Sequence, residues 1–107
     1  MDQRIERMAD TLVNYSLNLK KNNLFVIHSN ELAIPLIKVV YKKALEVGSH
    51  PQIMMSPADT EETFYKTASK DQLKYTSPFT KLTYEEADAV LTIWGSKIRG
   101  HFQTQIP

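Results

Sequence analysis

The sequence predicts an α/β fold in three layers, with helices on both faces of a small parallel sheet of about three strands. Residues 24–55 have the pattern of a strand, a helix and a second strand, a βαβ unit whose strands run parallel through a right-handed crossover. Further helical stretches and a third apolar run at residues 90–94 follow. This alternation is typical of a parallel sheet, and the predicted order is an amino-terminal helix followed by βαβαβ.

The amino-terminal helix is predicted from a stripe of positions at helical spacing. Asp2 can cap its first turn, and most of the charged residues fall outside the stripe. We expect this helix to cover a face of the sheet that residues 24–27 begin. The stripe consists of Ile5, Met8, Ala9, Leu12, Ser16 and Leu19.

The βαβ unit begins with the apolar run at residues 24–27 and continues with a helical pattern from Leu32. Pro35 lies inside this pattern, where its missing N–H is tolerated only in the first turn. Regular helix therefore begins near Leu32, or the first turn is distorted. Gly48 can end the helix in the left-handed conformation, and Pro51 can open a second strand at residues 52–55.

Residues 56–86 predict several short helices between the second and third strands. Asp59 or Thr60 can bond the free amides of the first helix, and Ser69 can cap the second. Ser77 with Pro78 can open the third, which runs to residue 86. Residues 90–94 then supply the third strand, which ends at residue 95.

Length and composition are those of one soluble globular domain spanning residues 1–107. The net charge of +1 and the scattered basic residues predict no nucleic-acid or membrane partner. The chain has no cysteine, which excludes disulfides, thiolate zinc sites and a cysteine nucleophile within it. The charged first 20 residues do not resemble a secretory signal, so we expect a cytoplasmic protein.

Ligands of open α/β sheets bind at the carboxyl ends of the strands, where residues 28–31, 56–59 and 95–99 are expected. None of the three glycines follows the first strand, which argues against a phosphate-binding loop. The candidate substrate contacts at this edge are His28, Ser29, Asn30, Lys97 and Arg99. His28 can serve as a base or ligand, or can bond only backbone or water. Ser29 and Asn30 can also be interpreted as cap residues only, and Lys97 and Arg99 as part of a solvated loop.

No metal site is predicted within the chain. His28, His50 and His101 do not have the spacing of metal ligands. The acidic group Glu85, Glu86 and Asp88 can attract a cation, but a solvated helix end before a strand is the better explanation. A three-stranded parallel sheet also keeps exposed edges, from which we expect a partner chain or domain.

Several short segments resemble the thermophilic metalloprotease family that includes aminopeptidase T and aminopeptidase S. Their order and spacing cover essentially the whole chain, although residues 95–99 (GSKIR) stand where an Asn-Thr-Arg-like run is expected. The resembling segments are MDQRIE at 1–6, LVNYSL at 12–17, PL at 35–36, VY at 40–41, AL at 44–45, GSHP at 48–51, QLKY at 72–75, SP at 77–78 and DA at 88–89.

This resemblance implies the amino-terminal domain of a longer, two-domain metal-dependent aminopeptidase, which removes amino-terminal residues from peptides and forms a homodimer. It implies two divalent metal ions, as zinc, cobalt or manganese, held by a later carboxyl-terminal catalytic domain. No residue of this chain matches the family's ligand motif, so we expect the chain alone to bind no metal and to be inactive. The alternative is a free-standing binding module of the flavodoxin-like or response-regulator kind.

Overall fold

Helices and strands alternate along the chain as the sequence predicts. The computed structural model describes residues 3–95 and the backbone of residues 102–105. In chain order the elements are α1 (Gln3–Thr11), a π-helical turn (Leu12–Ser16), β1 (Leu24–Ser29), a 3₁₀ turn (Glu31–Ala33), α2 (Ile34–Glu46), β2 (His50–Met55), α3 (Thr60–Thr67), α4 (Lys70–Lys74), α5 (Pro78–Glu86), β3 (Ala89–Gly95) and β4 (Phe102–Gln105). Asp2, the predicted cap of α1, lies outside the described residues.

The strands form one sheet in the order β2-β1-β3-β4. β1 runs parallel to both β2 and β3, so the three predicted parallel strands and the α/β class are confirmed. β4 pairs antiparallel to β3 and was not predicted. Its sequence, FQTQ, has no apolar run, and the pairing of such a strand depends on backbone groups that no side-chain pattern reveals.

α1, the π-helical turn and α2 form the layer that carries the core. They pack against one face of the sheet, from which Phe25, Ile27, Leu91 and Ile93 project, all 0% exposed. The predicted packing of the first helix on this sheet is therefore confirmed. The helical side of this core consists of Ala9, Leu12, Val13, Ala33, Leu36, Ile37, Val39, Val40 and Ala44.

The predicted first helix changes its winding after Thr11. The amide of Leu17 donates to the carbonyl of Leu12 at 2.8 Å, five residues back, so the chain widens into a π-helical turn. This turn keeps Leu12 and Val13 buried and leaves Tyr15 81% exposed. The apolar stripe alone cannot distinguish a π-helical turn from an α-helix, because both place the apolar side chains of neighbouring turns on one face.

The start of α2 follows the second predicted alternative, a distorted first turn. Asn30 has extended backbone angles, and its side chain accepts a hydrogen bond from the amide of Leu32. A 3₁₀ turn follows, and Pro35 then falls in the first turn of α2, where no N–H is needed. The predicted end is also confirmed, since Gly48 has a φ of +87° just past the helix.

α3, α4 and α5 form the layer on the opposite face of the sheet. The Thr83 hydroxyl of α5 lies 3.6 Å from the sulfur of Met54 on β2. The predicted caps Ser69 and Ser77 accept amide hydrogen bonds at the starts of α4 and α5. Asp59 precedes α3, but its side chain forms no cap bond because its backbone is left-handed, with a φ of 74°. The predicted side-chain cap at Asp59 is therefore wrong, and the hydroxyl of Thr60, the predicted alternative, donates to the carbonyl of Pro57 at 2.7 Å instead.

Candidate functional site

The loops that follow the three parallel strands meet at one edge of the sheet. Asn30 after β1 bonds Gly95 at the end of β3, while His28 and Glu31 bond the segment after β2. The first two predicted edge segments and the start of the third therefore lie together. Lys97 and Arg99, the candidates of the third segment, lie outside the described residues.

Asn30 connects the ends of β1 and β3. Its Nδ2 donates to the carbonyl of Gly95 at 2.9 Å, and its Oδ1 accepts from the amides of Gly95 at 3.0 Å and Leu32 at 3.1 Å. The side chain is buried, and these three bonds occupy both ends of its amide. Asn30 thus caps the 3₁₀ turn, as one of the two interpretations predicted, and its amide holds two strands in register.

Gly95 allows the end of β3 to lie against the 3₁₀ turn. A Cβ atom at this position would stand 2.5 Å from the Cβ of Leu32 and 2.6 Å from its backbone carbon, which leaves room only for glycine. In this sheet the strand order reverses at β1, so the crevice between β1 and β3 is where α/β proteins bind nucleotides. Leu32 and Asn30 fill that crevice, which argues against a nucleotide-binding module.

Glu31 connects the end of β1 to the loop after β2. Its two carboxylate oxygens accept from the amide of Ala58 at 2.8 and 3.1 Å. The loop enters α3 through Asp59, which has the left-handed backbone, so this bond helps to fix an uncommon turn. The sequence predicted Glu31 only as part of the edge segment at residues 28–31.

His28 lies on the α3–α5 face of the sheet at this edge. Its Nε2 is 3.2 Å from the hydroxyl of Ser56, with the direction of the hydrogen bond set by the tautomer. Its ring meets the indole of Trp94 edge-on, with centroids 5.2 Å apart and an interplanar angle of 68°. The imidazole is half-buried. It therefore has both a polar partner and an aromatic wall, and keeps a partly accessible edge.

Among the described residues, the His28–Ser56 pair is not joined by the further groups that covalent catalysis by a serine requires. A nucleophilic serine needs a base that a third group orients and donors for the developing oxyanion. Within the described residues, Ser56 is the one hydrogen-bond partner of the His28 side chain. An imidazole and a hydroxyl beside Trp94 instead suit a ligand with one polar group and an apolar side chain.

Ser29 points the other way. Because successive side chains of a strand alternate, Ser29 projects into the α1–α2 core, where it is 0% exposed. Its hydroxyl has no hydrogen-bond partner among the described residues. Ser56 and Trp94 were not predicted as site residues, although both lie in or beside the predicted edge segments. Their faces follow from strand register, which places Thr92 beside His28 and thus Trp94 on the same face.

Asp88 works at the opposite edge of the sheet. Its carboxylate accepts from the amide of Leu24 at 2.8 Å, and its own amide donates to the Leu24 carbonyl at 2.9 Å. The two bonds fasten the amino ends of β1 and β3. A cleft of about 260 Å³ opens here, lined in part by Leu17, Tyr84 and Asp88, and it is smaller than the roughly 300–1,000 Å³ of most ligand pockets.

Two kinds of site are not found in the part of the chain that the structure describes. No group of three or more His, Asp or Glu side chains among residues 3–95 and 102–105 is placed to hold a metal ion. The residues present there do not fit a divalent metal centre. The same residues contain no helix long and apolar enough to cross a membrane.

Comparison with known proteins identifies the family. The sequence model of the thermophilic metalloproteases (M29) matches residues 1–106. The chain belongs to this family. The match covers every element of the fold. The resemblance to this family that the short sequence segments indicated is therefore confirmed along residues 1–106.

A solved structure shares the fold. Wild-type AmpT from Thermus thermophilus superposes with a TM-score of 0.67 over 88% of this chain, at 18% sequence identity. The chain spans 25% of the length of that structure. No curated protein sequence matches the chain. At 18% identity the comparison establishes that this chain and a quarter of AmpT have the same fold.

Proposed function

We propose that this chain is the amino-terminal, non-catalytic domain of a metal-dependent aminopeptidase, in which a separate carboxyl-terminal domain holds two divalent metal ions and hydrolyses peptides. The M29 match over residues 1–106 carries the proposal. It is supported by the chain's fit to only 25% of AmpT. In the parent, the bound metals would polarise the peptide carbonyl and generate the nucleophilic water.

The surface of the α3–α5 layer supports a second domain as the partner. Six large apolar or aromatic side chains on these helices, and Tyr75 just after α4, are at least 44% exposed, and none of the residues in α3, α4 or α5 is buried. Large apolar side chains left exposed in such numbers on one layer favour an interaction site there. These side chains are Phe64, Tyr65, Leu73, Tyr75, Phe79, Leu82 and Tyr84.

The proposed role at the carboxyl edge is contact with the peptide substrate. His28 has the strongest support, because its half-buried ring, Ser56 and Trp94 offer one polar group beside an aromatic wall. The Asn30 side chain contributes by fixing the backbone at this edge, as does the Ser29 carbonyl, which accepts from the amide of Ser56 at 2.8 Å. Lys97 and Arg99 stay proposed contacts for a carboxylate of the substrate or of another domain. Homodimer formation by the parent and a cytoplasmic location also belong to this proposal.

An activity measurement on the purified 107-residue chain tests the division between the domains. With an aminoacyl p-nitroanilide and added zinc, cobalt or manganese, we expect release no faster than in the metal blank. Calorimetric titration should detect no tight metal site. Hydrolysis that chelator abolishes would contradict the proposal, and a parallel His28→Ala preparation separates the chain's own activity from a contaminant.

Coding sequence beyond Pro107 should specify an Asp-, Glu- and His-containing domain, and a stop codon there would also contradict the proposal.

A further inference from the structure

Five side chains share the α3–α5 face of the sheet where the three parallel strands end. Met54 of β2 and Thr92 of β3 are the register partners of His28 on β1, so the three stand side by side on one face. Ser56, just after β2, and Trp94 on β3 lie two residues farther along, and both contact the His28 side chain. These five residues, which we call the His28 patch, therefore draw on every parallel strand.

The His28 patch is accessible, and the strands that supply it are uncharged. Met54 is 38% exposed, and the other four residues are half-buried. Residues 24–30, 50–58 and 89–95 contain no Lys, Arg, Asp or Glu, and His28 is the only titratable member of the patch. A charged ligand group that came to lie there would lose water without gaining an ionic partner, which costs free energy. The patch therefore favours an uncharged group.

The polar part of the patch suits a peptide group. Among the described residues the Ser56 hydroxyl bonds only His28, across 3.2 Å. If Nε2 of His28 donates in this bond, the Ser56 hydroxyl can still donate its own proton to a ligand carbonyl. If Nε2 accepts instead, the Ser56 oxygen can still accept from a ligand N–H. A peptide main chain supplies both groups, so it can bond Ser56 in either tautomer of His28.

The apolar part of the patch lies on both sides of this polar pair. The indole of Trp94 stands 5.2 Å from the His28 ring between centroids, and Met54 is the neighbour of His28 on β2. An indole offers a flat apolar wall, whereas an unbranched thioether adapts to side chains of different shape. The Thr83 hydroxyl of α5 contacts the Met54 sulfur at 3.6 Å. These groups suit an apolar side chain attached to the bonded peptide group.

Glu31 holds the loop that carries Ser56. The amide of Ser56 donates to the Ser29 carbonyl at 2.8 Å. Two residues later, the amide of Ala58 donates to both carboxylate oxygens of Glu31, at 2.8 and 3.1 Å. The backbone then turns left-handed at Asp59, a conformation that residues other than glycine seldom adopt. Glu31 thus acts on the His28 patch through this loop and is a positioning residue.

We propose that the His28 patch is a subsite for an uncharged, apolar residue of a peptide. Ser56 bonds the main chain of this residue, while Trp94 and Met54 pack against its side chain. Glu31 positions Ser56 for that bond. The choice of a peptide as ligand rests on the proposed function, whereas the preference for an apolar residue rests on the chemistry of the patch.

Fluorescence of Trp94 tests the preference, because Trp94 is the only tryptophan of the chain. Acetyl-Ala-Leu-Ala-amide, titrated at about pH 8, should change the Trp94 emission and saturate. The same peptide with Lys or Glu in place of Leu should bind at least about tenfold more weakly, because its charge finds no partner in the patch. The acetyl group blocks hydrolysis by an aminopeptidase, so the titration measures binding alone.

Variants of Glu31 separate positioning from general stability. Glu31→Ala removes both acceptors of the Ala58 amide, so it should weaken binding of the leucine peptide at least about fivefold and shift the nitrogen NMR resonance of His28 Nε2. Glu31→Gln keeps one acceptor oxygen and should retain most of the affinity. Glu46→Ala, which removes an exposed glutamate of α2, is the matched control and should change neither measurement.

Ser56→Ala keeps the loop bonds and should lose as much affinity as Glu31→Ala, so the test does not depend on the folding of one variant. The proposal is overturned if the leucine peptide leaves the Trp94 emission unchanged, if the lysine or glutamate peptide binds as tightly, or if Ser56→Ala binds like wild type. The positioning role is overturned if Glu31→Ala alters neither the affinity nor the His28 resonance. The proposed function fails by a different measurement, chelator-sensitive hydrolysis of the p-nitroanilide.

Discussion

The two helical layers cover opposite faces of one sheet but bury very different amounts of apolar surface. The α1–α2 layer contributes fully buried side chains such as Val13, Leu36 and Val40 to the core. Among the residues of α3, α4 and α5 none is buried, although these helices also carry large apolar side chains. The first layer is therefore held by packing, whereas the second is held mainly by local bonds.

The local bonds of the second layer explain how it keeps helical structure without a core of its own. Ser69 and Gln72 form a reciprocal capping box, Ser77 caps α5, and Lys66 pairs with Glu62 one turn away. Such contacts contribute about 0.3–2 kcal/mol each and act within a single helix. The lesson is that caps and short-range pairs specify these helices, while their apolar surface stays available for a partner.

Replacing one leucine with alanine in each layer should give the largest difference in unfolding free energy between the two layers. Leu36→Ala removes a fully buried side chain and is expected to cost about 2–5 kcal/mol of unfolding free energy. Leu82→Ala, at a position 58% exposed, should change it by no more than about 0.5 kcal/mol. Urea unfolding followed by circular dichroism measures both. Equal losses would mean that α5 packs as tightly as α2 in solution.

A comparison of two helix caps should give the next largest difference. Asn30→Ala leaves the amides of Leu32 and Gly95 without their acceptor at a buried edge, which costs about 1–3 kcal/mol of global stability. Ser69→Ala removes the capping box of α4, which buries no residue, so global stability should hardly change. Hydrogen exchange should instead quicken only in α4. A global loss from Ser69→Ala as large as that from Asn30→Ala would contradict this.

Sequence patterns predicted the first layer and the parallel strands because burial leaves a strong apolar pattern, a helical spacing in the helices and a continuous run in β1 and β3. The helix of Leu36 and Val40 and the strand of Phe25 and Ile27 have apolar positions at the spacing of their element. The π-helical turn and β4 were missed because their hydrogen bonds leave no such pattern. The cap at Asp59 was mispredicted because residue type suggests a cap, whereas the left-handed backbone prevents it.

The candidate site could be predicted only as a location. Parallel strands bring their carboxyl ends together, so the meeting of the segments after β1, β2 and β3 followed from the predicted topology. The bonds within the site did not follow. Asn30 bonds Gly95 across 65 residues of sequence, and His28 bonds Ser56 across 28. The hydrogen-bond partner of each side chain depends on strand register, and short-range sequence patterns do not reveal that register.

Ion pairs provide the finest test of the comparison between the layers. Lys43 of α2 bonds Asp10 and Glu6 of α1 at 2.9 and 3.2 Å, and so connects two helices. The hydrogen bond to Asp10, followed by that to Glu6, raises the pKa of Lys43. Since folding favours the charged form, this contribution is complete below the ordinary lysine pKa of about 10.4 and disappears as pH rises through the raised pKa.

Replacing the two paired lysines with methionine should separate connection between helices from pairing within one helix. Lys43→Met should lower the melting temperature slightly at neutral pH, and the difference from wild type should shrink at high salt and above the pKa of Lys43. Lys66→Met removes a pair inside α3, whose lysine side chain is 72% exposed, and should leave the melting temperature unchanged. If neither salt nor pH alters the Lys43→Met difference in melting temperature, the effect comes from packing of the lysine's carbon chain. If both variants shift the melting temperature equally, the ion pairs between α1 and α2 add nothing to the stability of the first layer.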